Sequence, residues 1–126
     1  LKPHIGEWGT VADDADYRRV LCESHVVLST ALHEFQGLAV QEAVACGCIP
    51  LVPDRLAYGE FFPDSCRYPS HPQDAEREAC DIAVHLSRLA ERHRRGELPA
   101  PPAFTHLAWP ALAGRYADAL RHTAGR

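Results

Sequence analysis

The chain has 126 residues, of which 46% are hydrophobic and 24% charged, as in an ordinary soluble globular domain. This length predicts one domain with a workable core, and no stretch approaches the roughly 20 apolar residues of a membrane-spanning helix. A net charge of −4 excludes a nucleic-acid-binding surface that spreads over the whole chain.

The cysteines and the first residues indicate the cellular compartment of the protein. Five cysteines, an odd number at uneven spacing, predict free thiols in a reducing cytosol. The start L-K-P-H is not a signal peptide, and the chain contains no methionine. We therefore expect a cytoplasmic piece of a longer polypeptide.

The first two predicted elements are the end of a strand and a helix. Residues 5–10 (I-G-E-W-G-T) form a short stretch between Pro3 and Gly9, which is typical of a strand end. Acidic residues at positions 13, 14 and 16 favour a helix start, because the helix dipole attracts negative charge, and the helix is expected to end near Ser24. Its expected buried stripe consists of apolar residues: Tyr17, Val20 and Leu21.

A strand, a helix and a second strand follow, and together they predict a parallel βαβ unit. Residues 25–29 are apolar on both faces, which favours a central strand of the sheet. The helix is expected from Leu38 to about Cys46, with Gly47 as its C-cap. In the strand of residues 49–52, Pro50 has no N–H to donate, so it belongs among the first residues or on an edge.

The loop between this strand and helix carries the candidate chemistry. Ligands of parallel α/β sheets lie outside the carboxyl ends of the strands, and here the loop holds Thr30, Glu34 and Gly37, with Glu42 on the helix. Gly37 leaves backbone N–H groups open to an anion, and Glu42 points back toward the helix start. A phosphate-binding helix end beside two carboxylates suits a nucleotide-sugar.

The middle of the chain predicts a loop, a short strand and a long helix. The loop of residues 53–63 contains one helical turn, residues 66–68 form the strand, and residues 73–95 form the helix, which Gly96 ends. The expected buried stripe of the long helix is apolar at helical spacing: Ala79, Ile82, Ala83, Leu86, Leu89 and Ala90.

The last part predicts a stiff linker at residues 97–102 (E-L-P-A-P-P) and a helix over residues 109–122. The residues expected on its inward face are Leu112, Tyr116, Ala119 and Leu120. We expect a Rossmann-like α/β domain, a parallel sheet flanked by helices, over residues 1–98. Residues 99–126 would pack back on it or toward a missing N-terminal half.

The stretch from Glu34 to Pro50 resembles the donor-site signature of retaining GT-B glycosyltransferases of the family 4 type (group 1). In that signature a Glu, seven residues and a second Glu are followed by Ala-x-Ala-x-Gly and a strand. The residues that fit it are Glu34, Gly37, Glu42, Ala43, Ala45, Gly47 and Pro50. The run H-V-V-L-S-T-A-L-H-E-F from His25, with E-A-V, C-G-C and P-L further on, resembles the tRNA-queuosine alpha-mannosyltransferase group (glycosyltransferase-like domain-containing proteins). The resemblance extends from Trp8 to the region of Trp109, and implies the C-terminal half of a GT-B fold.

The resemblance implies roles that fit the charges. Backbone N–H groups of Gln36, Gly37 and Leu38 would stabilise the diphosphate leaving group as it gains charge, with Phe35 in the same donor site. Glu42 would accept hydrogen bonds from the ribose hydroxyls, because a carboxylate only accepts. Glu34 would bind sugar hydroxyls or balance positive charge at the anomeric carbon.

Other residues have weaker or divided assignments. The resemblance places Thr10 and Val11 near the nucleotide base, where a plain strand-to-helix turn explains them as well. It also draws attention to Asp54 and Glu60, which follow the second strand. An Arg and a Lys that bind the diphosphate in the family would lie upstream of Leu1.

His33 either touches the sugar or the acceptor in a catalytic role, or is a packed or solvated histidine. Since H-E-F-Q-G lacks the second His of a zinc-binding H-E-x-x-H helix, a metalloprotease is excluded. Cys46, in C-G-C without a second pair, is expected to be a buried structural thiol. The basic run of residues 88–95 lies at a helix C-terminus, where we expect it to be solvated rather than bound to phosphate.

The predicted function is donor binding for the retaining transfer of a hexose, mannose from GDP-mannose, without metal or cofactor. The narrower resemblance implies queuosine in tRNA as the acceptor, bound through a missing N-terminal acceptor domain, so that this piece alone would be inactive. One alternative is another family 4-type enzyme that uses a UDP-, ADP- or GDP-sugar on a glycan, lipid or small molecule. An alternative of another class is a non-catalytic nucleotide-binding module.

Overall fold

The computed structural model describes residues 4–125. Three parallel strands, β1 (Val26–Leu28), β2 (Ile49–Pro53) and β3 (Arg67–Tyr68), form one sheet in the order β1-β2-β3. The α-helices between residues 4 and 125 are α1 (Asp14–Glu23), α2 (Leu38–Ala45), α3 (Tyr58–Phe61), α4 (Ala75–Arg94) and α5 (Trp109–Ala124). A parallel sheet flanked by helices is the Rossmann-like α/β fold that the sequence predicts.

Helix α1 begins where the acidic residues predict. The carboxylate of Asp13 caps it by accepting from the backbone N–H groups of Ala15 at 2.9 Å and Asp16 at 3.1 Å. The strand end expected at residues 5–10 is wrong, because Gly9 adopts a left-handed φ of 89° and Trp8 is 88% exposed with no strand beside it. Pro3, its expected boundary, lies outside the described residues.

The prediction that the first strand is central is also wrong. Within residues 4–125, β2 occupies the centre and all its residues are buried, whereas β1 lies at an edge and Leu28 is 42% exposed. Pro50 is the second residue of β2 and lies opposite Val27. The ladder bypasses its missing N–H, because the N–H of Ile49 donates to the carbonyl of His25, and that of Ser29 to the carbonyl of Leu51.

The core lies where α2, β2 and α3 meet. Its buried members are Val40, Val44, Val52, Tyr58, Phe62 and Cys66. Phe104, from the segment after α4, packs edge-on against Phe62 with ring centroids 5.5 Å apart. Gly47 follows α2 with a φ of 105°, a conformation that favours glycine, so the predicted helix end is confirmed.

The predicted inward faces of the last two helices are largely open. On α5, Tyr116 is 56% and Leu120 69% exposed, and Ala119 is exposed too, because this helix packs chiefly against the turn before it. On α4, Ile82, Leu86 and Leu89 are half-buried, as the stripe predicts, but its alanines are exposed: Ala79, Ala83 and Ala90.

The cysteines are free thiols. The expectation that Cys46 is a buried thiol is wrong, because Cys46 is half-buried. Cys48 and Cys66 are the buried cysteines, and the thiol of Cys48 donates to the carbonyls of Leu21 and Ser24. None of the helices between residues 4 and 125 combines the length and apolar character needed to cross a membrane.

Candidate functional site

An ion pair fixes the loop that follows β1. The guanidinium of Arg55 donates to both carboxylate oxygens of Glu78, at 2.7 and 2.9 Å, and both side chains are nearly buried. The same guanidinium donates to the carbonyls of Ala31 at 2.9 Å and Thr30 at 3.3 Å. Arg55 therefore ties the beginning of the Glu34 loop to helix α4.

Two buried tyrosines extend this network beneath the loop. The hydroxyl of Tyr58 lies 2.7 Å from that of Ser29, and the hydroxyl of Tyr68 donates to the carbonyl of Ser29 at 2.8 Å. Burial raises the pKa of Tyr68 to about 12, and the nearby carboxylate of Glu78 adds to the increase. Tyr68 therefore stays a neutral hydrogen-bond donor, and the carboxyl end of β1 is held from below.

Glu34 lies just before α2, with its carboxylate turned toward the backbone of its own loop. It accepts from the N–H groups of Phe35 at 2.9 Å and Gln36 at 3.3 Å. The N–H groups of Gly37, Gln36 and Phe35 hold its pKa below the ordinary value, against a smaller opposing effect of lost hydration. Glu34 is therefore an ionised acceptor at neutral pH, and is unsuited to act there as a general acid.

This geometry changes which backbone donors are open to an anion. The N–H of Gln36, predicted to bind diphosphate, is engaged by the Glu34 carboxylate. Leu38, Ala39 and Val40 begin α2, and first-turn N–H groups have no partner within a helix. Of the three predicted donors, the N–H of Leu38 thus remains open, whereas those of Gln36 and Gly37 face the Glu34 carboxylate.

Gly37 has a structural role in addition to the one predicted. Its φ is 66°, and a β-carbon built on it would lie 2.9 Å from Cε1 of Tyr58. Such a contact is too short, and L-residues rarely adopt this backbone conformation. The fold requires glycine here whether or not a ligand approaches.

Glu42 opens onto a groove between α1 and α2 with a volume of about 450 Å³. Its carboxylate accepts a hydrogen bond from the hydroxyl of Tyr17 at 3.4 Å, and burial and this carboxylate raise the pKa of Tyr17. Asp14 and Arg18 also line the groove, as does Cys46. The groove is thus bounded by an aromatic ring, carboxylates and a cation.

Several predicted site residues lie outside this groove. Thr30 lines a smaller cavity of about 280 Å³ beside α4, and Val11 and Thr10 precede α1 without lining the groove. His33 is exposed, which is compatible both with a contact to the sugar or acceptor and with a solvated histidine. Phe35 is 92% and Leu38 59% exposed, so both are accessible beside Glu34.

The sequence did not identify four residues that the structure brings to the site. The sequence predicts Tyr17 as part of an apolar stripe, although its hydroxyl reaches Glu42, and the predicted site does not include Arg18. A helical wheel of α1 would have placed Arg18 one turn after Asp14, on the same side. Arg55 and Glu78 carry no such signal, because they are 23 residues apart. Among residues 4–125, no three His, Cys, Asp or Glu side chains are grouped to hold a metal ion.

Comparison with curated proteins finds a tRNA-queuosine alpha-mannosyltransferase from Drosophila melanogaster that is 43% identical over 53 residues. The matched segment is 42% of this chain and 14% of that protein, so the chain spans only a small part of its relative. No family model matches the chain, and no solved structure matches it. The similarity supports a glycosyltransferase-like function, and hence a transferase.

Proposed function

We propose that the chain forms the nucleotide-sugar-binding part of a retaining hexosyltransferase. The donor is GDP-mannose, and the acceptor is queuosine in tRNA, which binds through an N-terminal acceptor domain elsewhere in the same polypeptide. The observation that carries the proposal is the arrangement of Glu34, ionised at the start of α2, and Glu42, which faces a groove large enough for a nucleoside. The similarity to the mannosyltransferase of Drosophila melanogaster supports the choice of sugar and acceptor.

The groove suggests how such a donor would lie. The ribose hydroxyls donate to Glu42, which the hydroxyl of Tyr17 orients, and the base extends between α1 and α2. The diphosphate reaches the open N–H groups of Leu38 and Ala39 at the positive end of the α2 dipole. The negative charge that the diphosphate gains in the transition state is stabilised there more than its charge in the ground state. Such a difference is what lowers the reaction barrier.

Arg18 adds a cation that was not among the predicted site residues. It lines the groove and forms no ion pair within residues 4–125. The diphosphate-binding Arg and Lys of the resembled family would still come from outside this chain. Glu34, accepting from backbone N–H groups, has its remaining lone pairs for sugar hydroxyls or for positive charge at the anomeric carbon.

Replacing Glu42 by alanine is expected to abolish most of the stabilisation that GDP gives the chain. A ligand at about one hundred times its dissociation constant stabilises a protein by about 2.7 kcal/mol, enough to raise the melting temperature by several degrees. Thermal melting with GDP, GDP-mannose, UDP-glucose and ADP-glucose measures both binding and base preference. We expect GDP and GDP-mannose to shift the parent most.

Glu23→Ala is the matched control, since it removes an exposed carboxylate from α1 without touching the groove. It should keep the full GDP shift. Equal shifts in the Glu42→Ala variant and the parent would remove the assignment of Glu42 to ribose. Preference for a UDP- or ADP-sugar would favour another family 4-type donor instead.

A further inference from the structure

A second groove lies at the amino end of β2, away from the loop that carries Glu34. It has a volume of about 430 Å³ and runs between β2, α4 and the proline-rich segment after Gly96. The amino ends of parallel strands lie at the edge of the sheet opposite to their carboxyl ends, from which the Glu34 loop departs. The second groove is therefore separate from the proposed donor site.

This groove combines an apolar floor with a basic rim. Its floor includes Ile49, Pro50, Leu51, Pro99 and Pro102. Its rim consists of His85, Arg88 and Arg92, which lie along one side of α4, and the hydroxyl-bearing Ser65. No carboxylate side chain is among the residues that line it.

The two arginines of the rim are not neutralised. Neither Arg88 nor Arg92 forms an ion pair within residues 4–125, and Nε of Arg92 donates to the carbonyl of Glu97 at 3.0 Å, which holds the guanidinium at the groove. Asp64, next to Ser65 in the chain, pairs instead with Arg67. The side chains that line the groove thus carry a net positive charge, although the chain as a whole carries a net charge of −4.

The rest of the basic run differs from these two residues. Arg94 and Arg95 both pair with Glu91 on the solvent side of α4 and do not line the groove. The sequence favoured a solvated helix end for the whole run. The structure divides it into a paired, solvated part and an unpaired part that faces a cavity.

We propose that this groove binds a segment of single-stranded nucleic acid. Arg88 and Arg92 are one helical turn apart, about 5–6 Å between β-carbons, so that their guanidinium groups can contact two neighbouring phosphates. The ring of His85 and the planar guanidinium groups provide stacking surfaces for a base, and the apolar floor excludes water beneath it. A cavity of about 430 Å³ is within the roughly 300–1,000 Å³ of small-molecule pockets, far more than one phosphate occupies.

The inference goes beyond the proposed donor binding and does not depend on the transfer reaction. RNA and DNA share the phosphodiester and base that the groove recognises, so both are probes. Fluorescence anisotropy of short labelled RNA and DNA oligonucleotides of one mixed sequence measures their affinity for the 126-residue chain. The double variant Arg88→Gln/Arg92→Gln is expected to bind about tenfold more weakly, and its dependence of log affinity on log salt is expected to be shallower by about 1.4.

Arg94→Gln/Arg95→Gln is the matched control, because it removes the same charge from the same helix outside the groove. Its affinity is expected to stay within about twofold of the parent. Equal weakening by both double variants, or none by Arg88→Gln/Arg92→Gln, would overturn the proposal. So would an oligoglutamate peptide or inorganic phosphate that competes as well as the oligonucleotide.

Photocrosslinking of a bromouridine-labelled oligonucleotide to the parent chain tests the location without any variant. Crosslinks on the part of α4 from His85 to Arg92, or on the segment from Pro99 to Pro102, are the expected result. Crosslinks confined to other surfaces would place the nucleic acid elsewhere and overturn the assignment. This measurement holds even if a double variant fails to fold.

Discussion

Replacing Glu78 by alanine is expected to lower the free energy of unfolding by about 3–5 kcal/mol, since breaking a buried ion pair leaves an uncompensated charge. The side chains of Arg55 and Glu78 are only 11% and 10% exposed, and the guanidinium meets both carboxylate oxygens. The variant also removes the acceptor of the His71 N–H. The melting temperature should fall by roughly 10–20 °C, which thermal unfolding followed by circular dichroism measures.

Glu91→Ala is the matched control for this prediction. Glu91 lies on the same helix and pairs with two arginines, but these pairs are exposed, where ion pairs contribute little. The melting temperature of this variant should remain close to that of the parent. A loss in Glu78→Ala no larger than in Glu91→Ala would show that the Arg55–Glu78 pair does not stabilise the fold.

The pH dependence gives an independent check on the same pair. The guanidinium of Arg55 holds the pKa of Glu78 below its ordinary value, with the N–H of His71 contributing. A group with a lowered native pKa stabilises the fold above its unfolded pKa, about 4.3 for Glu, and loses this contribution as pH falls through the native value. The stability difference between the parent and Glu78→Ala should therefore narrow on acidification below about pH 4.3.

The double variant Arg55→Met/Glu78→Leu separates two contributions of the pair. Replacing both charges by apolar groups is often neutral for stability, so most of the loss should be recovered. The hydrogen bonds from Arg55 to the carbonyls of Thr30 and Ala31 would still be missing. We therefore expect a stable protein with a looser Glu34 loop and weaker GDP binding, as a thermal-shift titration would show.

The sequence was informative where local patterns decide the structure. The βαβ unit follows from two apolar runs separated by a helical stretch. The helix ends follow from single residues: the carboxylate of Asp13 caps the start of α1, and Gly47 adopts the positive φ that ends α2. Pro50 is compatible with a buried strand because neighbouring residues make the hydrogen bonds to β1. The sequence predicts this tolerance, since it places Pro50 among the first residues of the strand. Glu34 and Glu42 are predicted as site residues from their positions around the start of α2, and Glu42 lines a groove.

The sequence was uninformative where distant segments decide. An apolar run such as residues 25–29 indicates that both faces of the strand are buried, but not whether a strand lies on each side of it in the sheet. The exposed Tyr116 and Leu120 show the same limit, because periodicity reports that a face is apolar and not what contacts it. The Arg55–Glu78 pair has no local signature, since each residue alone is an ordinary surface type. Gly37 was expected to leave the loop N–H groups open to a ligand, yet the carboxylate of Glu34 already accepts from those of Phe35 and Gln36.

Replacing Gly37 by alanine is expected to cost about 2–5 kcal/mol of unfolding free energy, from two additive sources. The left-handed φ of 66° costs a β-carbon-bearing residue about 1–2 kcal/mol. The new β-carbon would also lie 2.9 Å from the ring of Tyr58, which is fully buried and hydrogen-bonded to Ser29, so overpacking adds about 1–3 kcal/mol. Urea unfolding of the variant measures the sum.

Gly96→Ala isolates the backbone contribution, because Gly96 has a φ of 69° and nothing within 4 Å of an added β-carbon. We expect it to lose only the 1–2 kcal/mol or so of the left-handed conformation, and the difference between the two variants measures the contact with Tyr58. Similar losses at Gly37 and Gly96 would mean that the Tyr58 ring moves aside freely. A larger loss at Gly37 would mean that the added side chain displaces Tyr58 and, with it, Ser29. Weaker nucleotide binding by a Gly37 variant would then have this structural cause, and could not be attributed to obstruction of the diphosphate. Nucleotide binding is therefore better tested at Glu42, an exposed residue whose substitution leaves the core intact.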